Sequence, residues 1–144
     1  DIRIPELSRT LTIEGGAEVL LHCGAYFRDE SFDSWHDFIV TRAMENQSYV
    51  LSLNRAGVDW GNSLFCPPWV DEAHRPTRFP DHAEAFSNLT IKRSEIAFVR
   101  EAYSFLKDRI QQHRITRGDD LPAYKQTLSS NSTLRGPSVR PQTG

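Results

Sequence analysis

Three observations on this 144-residue sequence predict an α/β fold. Short apolar runs of strand length are bounded by Gly or Pro. Longer segments repeat apolar residues at spacings of three and four. The two kinds of segment interleave as helix, strand, helix, strand, strand, strand, helix. A succession of strands without helices between them makes part of the sheet antiparallel.

Each element has its own reason. Ile4 to Ile13 reads as a helix, with Pro5 at the first helical position and Glu6 in the first turn. Gly15 and Gly16 close it, since glycine accepts the positive φ that helix ends often need. "AEVLLHCGAY" follows as a mostly apolar run, the pattern of a strand buried on both faces. "RDESFD" is a charged loop. Ser34 to Gln47 is the second helix, with Ser34 and Asp37 placed as a capping box. Its apolar face carries Trp35, Phe38, Ile39 and Ala43, and Arg42 and Glu45 are surface neighbours three residues apart. "SYVLSLNRAG" is a second strand ending at Gly57, and "NSLFCPPWV" a third, cut short by Pro67 and Pro68. "DEAHRPTRFPDH" is an irregular connection, and the alternating "AEAFSNLTI" reads as a fourth strand. Lys92 to about Arg109 is a final helix, with Ile96, Val99, Tyr103, Leu106 and Ile110 on one stripe.

The organisation is a folded part over residues 1–110 and a tail over residues 111–144. From Thr116 the tail is rich in Ser, Thr, Gly and Pro, a composition that builds no core, and it is expected to be mostly disordered. The net charge of −2, with no basic patch interleaved with aromatics, argues against nucleic-acid binding. No apolar run approaches the ~20 residues of a membrane span. Cys23 and Cys66 are the only cysteines, too few for a disulfide scaffold, and a reduced cytoplasmic setting is expected. Three Asn-x-Ser/Thr triplets, at Asn46, Asn88 and Asn131, are read as chance matches.

Taken alone, the residues give little self-sufficient chemistry. Cys23 is the obvious nucleophile candidate, but His22 beside it points to the opposite face of a strand and cannot easily activate it. A base would have to come from elsewhere, such as His36; a buried structural cysteine in a central strand is the preferred reading. Cys66, His74 and His82, with Asp71 or Asp81, match no compact metal spacing, and no metal is expected. No phosphate-binding glycine loop and no Gly-x-Ser-x-Gly elbow occurs. The Arg42–Glu45 pair suits an acid–base role less well than support of a helix.

Three stretches together resemble the carbon–nitrogen hydrolase (nitrilase/amidase) superfamily. "DIRIPEL" is similar to the part of the family's nucleophile motif after its cysteine, Cys-Tyr-Asp-x-Arg-Phe-Pro-Glu, with Asp1, Arg3, Pro5 and Glu6 matching and Ile4 replacing Phe. "GGAEVLLHCGAYF" resembles the strand that follows, with Cys23 where Pro is more common. "RAMENQSYVLSLNRAG" resembles the family's helix-to-strand segment. "GNSLF" is a looser match, and Cys66 to His82 departs from the usual short hairpin.

The resemblance implies the C-terminal half of a four-layer α-β-β-α sandwich, part of a hydrolase of amide or nitrile C–N bonds. It implies that the catalytic cysteine lies two residues before Asp1, with two glutamates and a lysine further upstream, so that this chain holds no catalytic residue and is inactive alone. Asp1 is then expected to be a truncation point. Tyr26, and less directly Phe27, fall where the family places aromatics beside the substrate; for Tyr26, substrate contact and core packing both stand open. Arg3, Glu6, Arg42 and Glu45 are expected to brace the turn after the nucleophile. The implied protein is a cytoplasmic homo-oligomer acting on a small amide or nitrile without metal or organic cofactor. The alternative is a non-catalytic remnant or oligomerisation module on the same half-fold.

Overall fold

The structure, a computed structural model, describes residues 1–110. The expected tail therefore lies outside the described residues. Helix α1 (Pro5–Arg9) runs directly into a π-helical turn, Thr10–Glu14. Strand β1 (Val19–Cys23), helix α2 (Ser34–Asn46) and strand β2 (Tyr49–Leu53) follow, then the short β3 (Leu64–Cys66) and β4 (Thr77–Arg78). Helix α3 (Arg93–Ala102) and a 3₁₀ turn (Ser104–Leu106) complete the described chain.

The four strands lie in sequence order. β1 pairs parallel with β2, from Val19 opposite Tyr49 to Cys23 opposite Leu53. The β2–β3 and β3–β4 pairs are antiparallel. A parallel pair needs a long crossover, and α2 is that crossover. Because side chains alternate across a strand, Leu20, Val50, Leu64 and Cys66 share one face of the sheet. Trp35, Ile39 and Ala43 of α2 pack onto it, joined by Ile2 and Phe32. On the other face Tyr49 and Phe65 pack with Ile96 of α3.

Several elements depart from expectation. The first helix loosens at Thr10, so its second half is π-helical; Gly16, not Gly15, takes the positive φ, at 71°. The Ser34–Asp37 capping box does not form: Asp33 precedes the helix, and the Ser34 hydroxyl donates instead to the Ser31 carbonyl at 2.7 Å. β1 is not buried on both faces. It is an edge strand, and Leu21, on the face away from α2, is 69% exposed.

The fourth strand is not at residues 83–91. Those residues form no ladder, and Phe86 in their midst stands exposed. Thr77 and Arg78 take the place beside Leu64 and Phe65, within the stretch expected to be irregular. Alternation describes a strand only where a neighbouring strand exists to pair with it. The last helix also stops early. Tyr103 leaves helical geometry, its ring stacks on Trp69 at 3.8 Å, and its carbonyl accepts the Gln47 side-chain amide. Stacking and this hydrogen bond replace the next helical turn, leaving Ile110 exposed.

Candidate functional site

The loop between β1 and α2 builds a cleft of about 310 Å³ against the start of the chain. Tyr26, Phe27, Trp35 and Phe38 supply its aromatic wall, and Ile2 and Arg3 its opposite rim. The sequence-predicted pocket residues and the opening turn therefore line one space.

Tyr26 is held closely. Its ring stacks on Trp35, with centroids 4.5 Å apart and planes at 21°. Its hydroxyl lies 3.2 Å from His22 Nδ1, and the Ser52 hydroxyl lies 3.4 Å from the same nitrogen. Burial raises the Tyr26 phenol above its ordinary pKa, against the pull of the Arg3 charge, so the group stays a neutral hydroxyl. Burial also lowers the His22 imidazole, which favours the neutral ring. Phe27 is looser: it is more than half exposed and meets Trp60 edge-on at 5.6 Å.

The four residues expected to brace the opening turn do not act alike. Arg42, 5% exposed, donates from Nε to the Ile2 carbonyl at 2.9 Å and from Nη1 to Glu45 Oε1 at 2.7 Å. Arg3 turns back on Asp1, with Nη2 2.7 Å and Nε 3.1 Å from its carboxylate, and its side chain is largely exposed. Glu6 is exposed in the first turn of α1, and its carboxylate makes no hydrogen bond or ion pair among the described residues.

Cys23 is a correction. It is neither buried nor central but exposed on the edge strand β1, on the face away from α2, while His22 points to the α2 side. It does not line the cleft. The buried cysteine is Cys66, whose thiol burial pushes up to about 12, leaving no thiolate for chemistry at neutral pH. His36 is not a free base either. Its Nε2 donates to the Asn62 carbonyl at 2.7 Å, and its Nδ1 accepts from Arg78 at 2.7 Å. His74 pairs with Asp71 at 2.9 Å. Among the described residues no three His, Cys, Asp or Glu side chains gather as a metal site, and no helix is long and apolar enough to cross a membrane.

Sequence reasoning missed three participants. The sequence marks Trp35 as core, which it is, without its part in the cleft; it sets His22 only against Cys23; and it shows Asn54 only as part of the family-like "LNRAG" motif ending the second strand. Asn54 carried a signal in that motif, since a polar side chain ending an apolar strand is placed to bond a neighbouring turn.

No family model matches the sequence. The deaminated glutathione amidase of Dictyostelium discoideum is 28% identical over 107 residues, which cover 70% of this chain and 35% of that protein. Nit3 of Saccharomyces cerevisiae, a nitrilase-superfamily member, superposes with a TM-score of 0.61 at 20% identity, over 84% of this chain and 41% of its own. A carbon–nitrogen hydrolase superfamily protein from Xanthomonas campestris gives 0.63 at 20% identity, over 82% and 46%. The fold is therefore that of the carbon–nitrogen hydrolase (nitrilase) superfamily. A protein named as an amidase is among the chain's sequence relatives. The chain spans about a third of the curated relative it matches and less than half of the solved structures.

Proposed function

We propose that this chain is the C-terminal stretch of an enzyme that hydrolyses a non-peptide amide C–N bond. In this reading a cysteine two positions before Asp1 attacks the amide carbon as a thiolate. A glutamate upstream takes and returns the proton, and a lysine stabilises the developing oxyanion. The amine leaves, a thioester remains, and water releases the acid. Tyr26 and Phe27 form the substrate-facing wall, and Trp35 backs Tyr26. Arg42 with Glu45 fixes the backbone at Ile2, just after the nucleophile; Arg3 shapes the same turn from outside through its bond to Asp1, and Glu6 places an acid in the first turn of the helix that follows. The intact protein is a cytoplasmic homo-oligomer that needs no metal or organic cofactor.

One observation carries the reading: Ile2 and Arg3, from the stretch that resembles the family's motif after its nucleophile, line a single cleft with the aromatic pair after β1. Amide over nitrile rests on the amidase relative. The test is to express the chain with the coding sequence that precedes it and assay release of amine from small linear amides. Turnover that vanishes when the cysteine two positions before Asp1 is changed to Ala is the expected result. A different residue at that position, or turnover that survives the change, overturns the reading. Residues 1–144 alone should release no amine.

A further inference from the structure

Tyr26 lies in the loop beyond β1, yet its backbone is tied as firmly as a strand's. The last backbone rung between β1 and β2 runs from Gly24 N–H to the Leu53 carbonyl, at 2.9 Å. Beyond it the two chains part, and the side chain of Asn54 takes over. Its Oδ1 accepts the Tyr26 N–H at 2.8 Å and the Arg55 N–H at 2.9 Å. Its Nδ2 donates to the Tyr26 carbonyl and to the Gly61 carbonyl, both at 2.9 Å. A primary amide offers two donors and an acceptor with two lone pairs, and all four are engaged here. Two of the four go to one residue, so the carboxamide imitates the peptide group of a missing strand partner. The Asn54 backbone is anchored in turn, its N–H donating to Ser63 Oγ at 2.9 Å.

We infer that Asn54 is the positioning residue of the cleft: it clamps the backbone of Tyr26 and thereby sets the ring against Trp35. The inference rests on the reading of Tyr26 as a pocket wall. Gly24 completes the arrangement from below. A Cβ at that position would lie 2.4 Å from Tyr26 Cε2, so the ring folds back over a residue that has none. The hydroxyl then reaches His22. Backbone, ring and hydroxyl are each fixed by a different partner, and Asn54, just past the end of β2, fixes the backbone. A rigid aromatic wall holds its position while substrate enters, which a freely swinging loop residue does not.

The test compares Asn54→Ala, which removes the clamp, with Asn54→Asp, which keeps the size but replaces both donors by a carboxylate facing two carbonyls. Amide hydrogen exchange is followed by mass spectrometry in peptides covering Gly24–Arg28 and, as a control, the β2–β3 core. Exchange at Gly24–Arg28 should quicken about tenfold or more in both variants, the consequence of losing a hydrogen-bonded anchor, while the core peptides hold. Unchanged exchange at Gly24–Arg28 overturns the clamp. Equal loosening of the core in both variants overturns it too, because Asn54 would then serve the fold and not the cleft. In the catalytically competent chain, Asn54→Asp should raise KM for an amide about fivefold or more with kcat little changed, the pattern of lost binding geometry; an unchanged KM overturns the link to the pocket. The exchange result needs no turnover. It therefore stands or falls separately from the proposed reaction.

Discussion

Arg42 and Glu45 give the sharpest test of how the opening turn is held. The guanidinium is buried and makes two hydrogen bonds, one to the Ile2 carbonyl and one to Glu45. Ile2 is itself 4% exposed, whereas the Glu45 side chain keeps 28% of its surface. The two possible truncations are therefore unequal. Arg42→Met removes the charge, fills most of the volume and leaves Glu45 able to reach water. What remains uncompensated is one buried carbonyl and a lost charge-assisted bond, on the order of 2–3 kcal/mol. Glu45→Ala leaves the buried guanidinium with the Ile2 carbonyl as its remaining partner among the described residues, and a buried charge stripped of its counter-ion costs about 3–5 kcal/mol. The order of the two losses is the prediction. Urea denaturation of the two single variants and the double variant supplies the values. The double variant should lose less than the sum of the singles, because removing Arg42 takes away the penalty of removing Glu45. The reasoning fails if Arg42→Met proves the more damaging change, or if the two losses simply add.

Three further outcomes follow from the same geometry. The buried His36 has a folded pKa below its ordinary 6.5, through burial first and the Arg78 charge as well, against the pull of the Asn62 carbonyl, Asp33 and Asp37. The unfolded chain then binds the proton more readily, so stability is full above about pH 6.5 and falls as the pH drops through the folded pKa; melting curves from about pH 7.5 to about pH 5 should show the decline, and His36→Asn should shrink it. Gly24→Ala should displace the Tyr26 ring from Trp35 without unfolding the sheet, read as a change in Trp emission at an unchanged urea midpoint; identical emission would contradict the close approach. A thiol reagent at neutral pH should label Cys23 quickly and Cys66 only on unfolding, and rapid labelling of both would refute the burial of Cys66.

The elements legible in the sequence were those whose pattern is local. α2 was read from its apolar face and β3 from the prolines that end it, and both stand where expected apart from the cap. What failed depends on distant partners. Ser34 had the spacing of a cap, yet Ser31 offers its hydroxyl an acceptor one turn earlier. Tyr103 continued a helical stripe, yet Trp69 and Gln47 draw it out of the helix. Thr77 and Arg78 show no strand pattern of their own and owe their state to β3. At the cleft, Tyr26 and Phe27 came from family resemblance, while Asn54, His22 and Trp35 appear only once the fold brings positions 22, 26, 35 and 54 together.

The misjudged burial of β1 holds the most physical content. "AEVLLHC" is apolar at Ala17, Val19, Leu21 and Cys23 on one parity and at Leu20 on the other, and so mostly apolar a run reads as a strand covered on two sides. Leu20 meets that description, packed beneath α2. Leu21 does not, and Leu53 in the adjacent strand is exposed on the same face. Burying a leucine contributes about 1.5–3 kcal/mol, and leaving two open on one sheet face runs against the composition of ordinary strands. The pattern thus describes a more complete environment than the described residues provide. In the proposed reading the second sheet of the sandwich, upstream of Asp1, lies against this face, and the apolar run is consistent with the whole enzyme. Adding the upstream chain should then protect Cys23 from the thiol reagent, because Cys23 lies on this face with Leu21 and Leu53. A Cys23 that stays equally reactive in the longer chain would mean that the open face has some other cover, and the argument from its composition would fail.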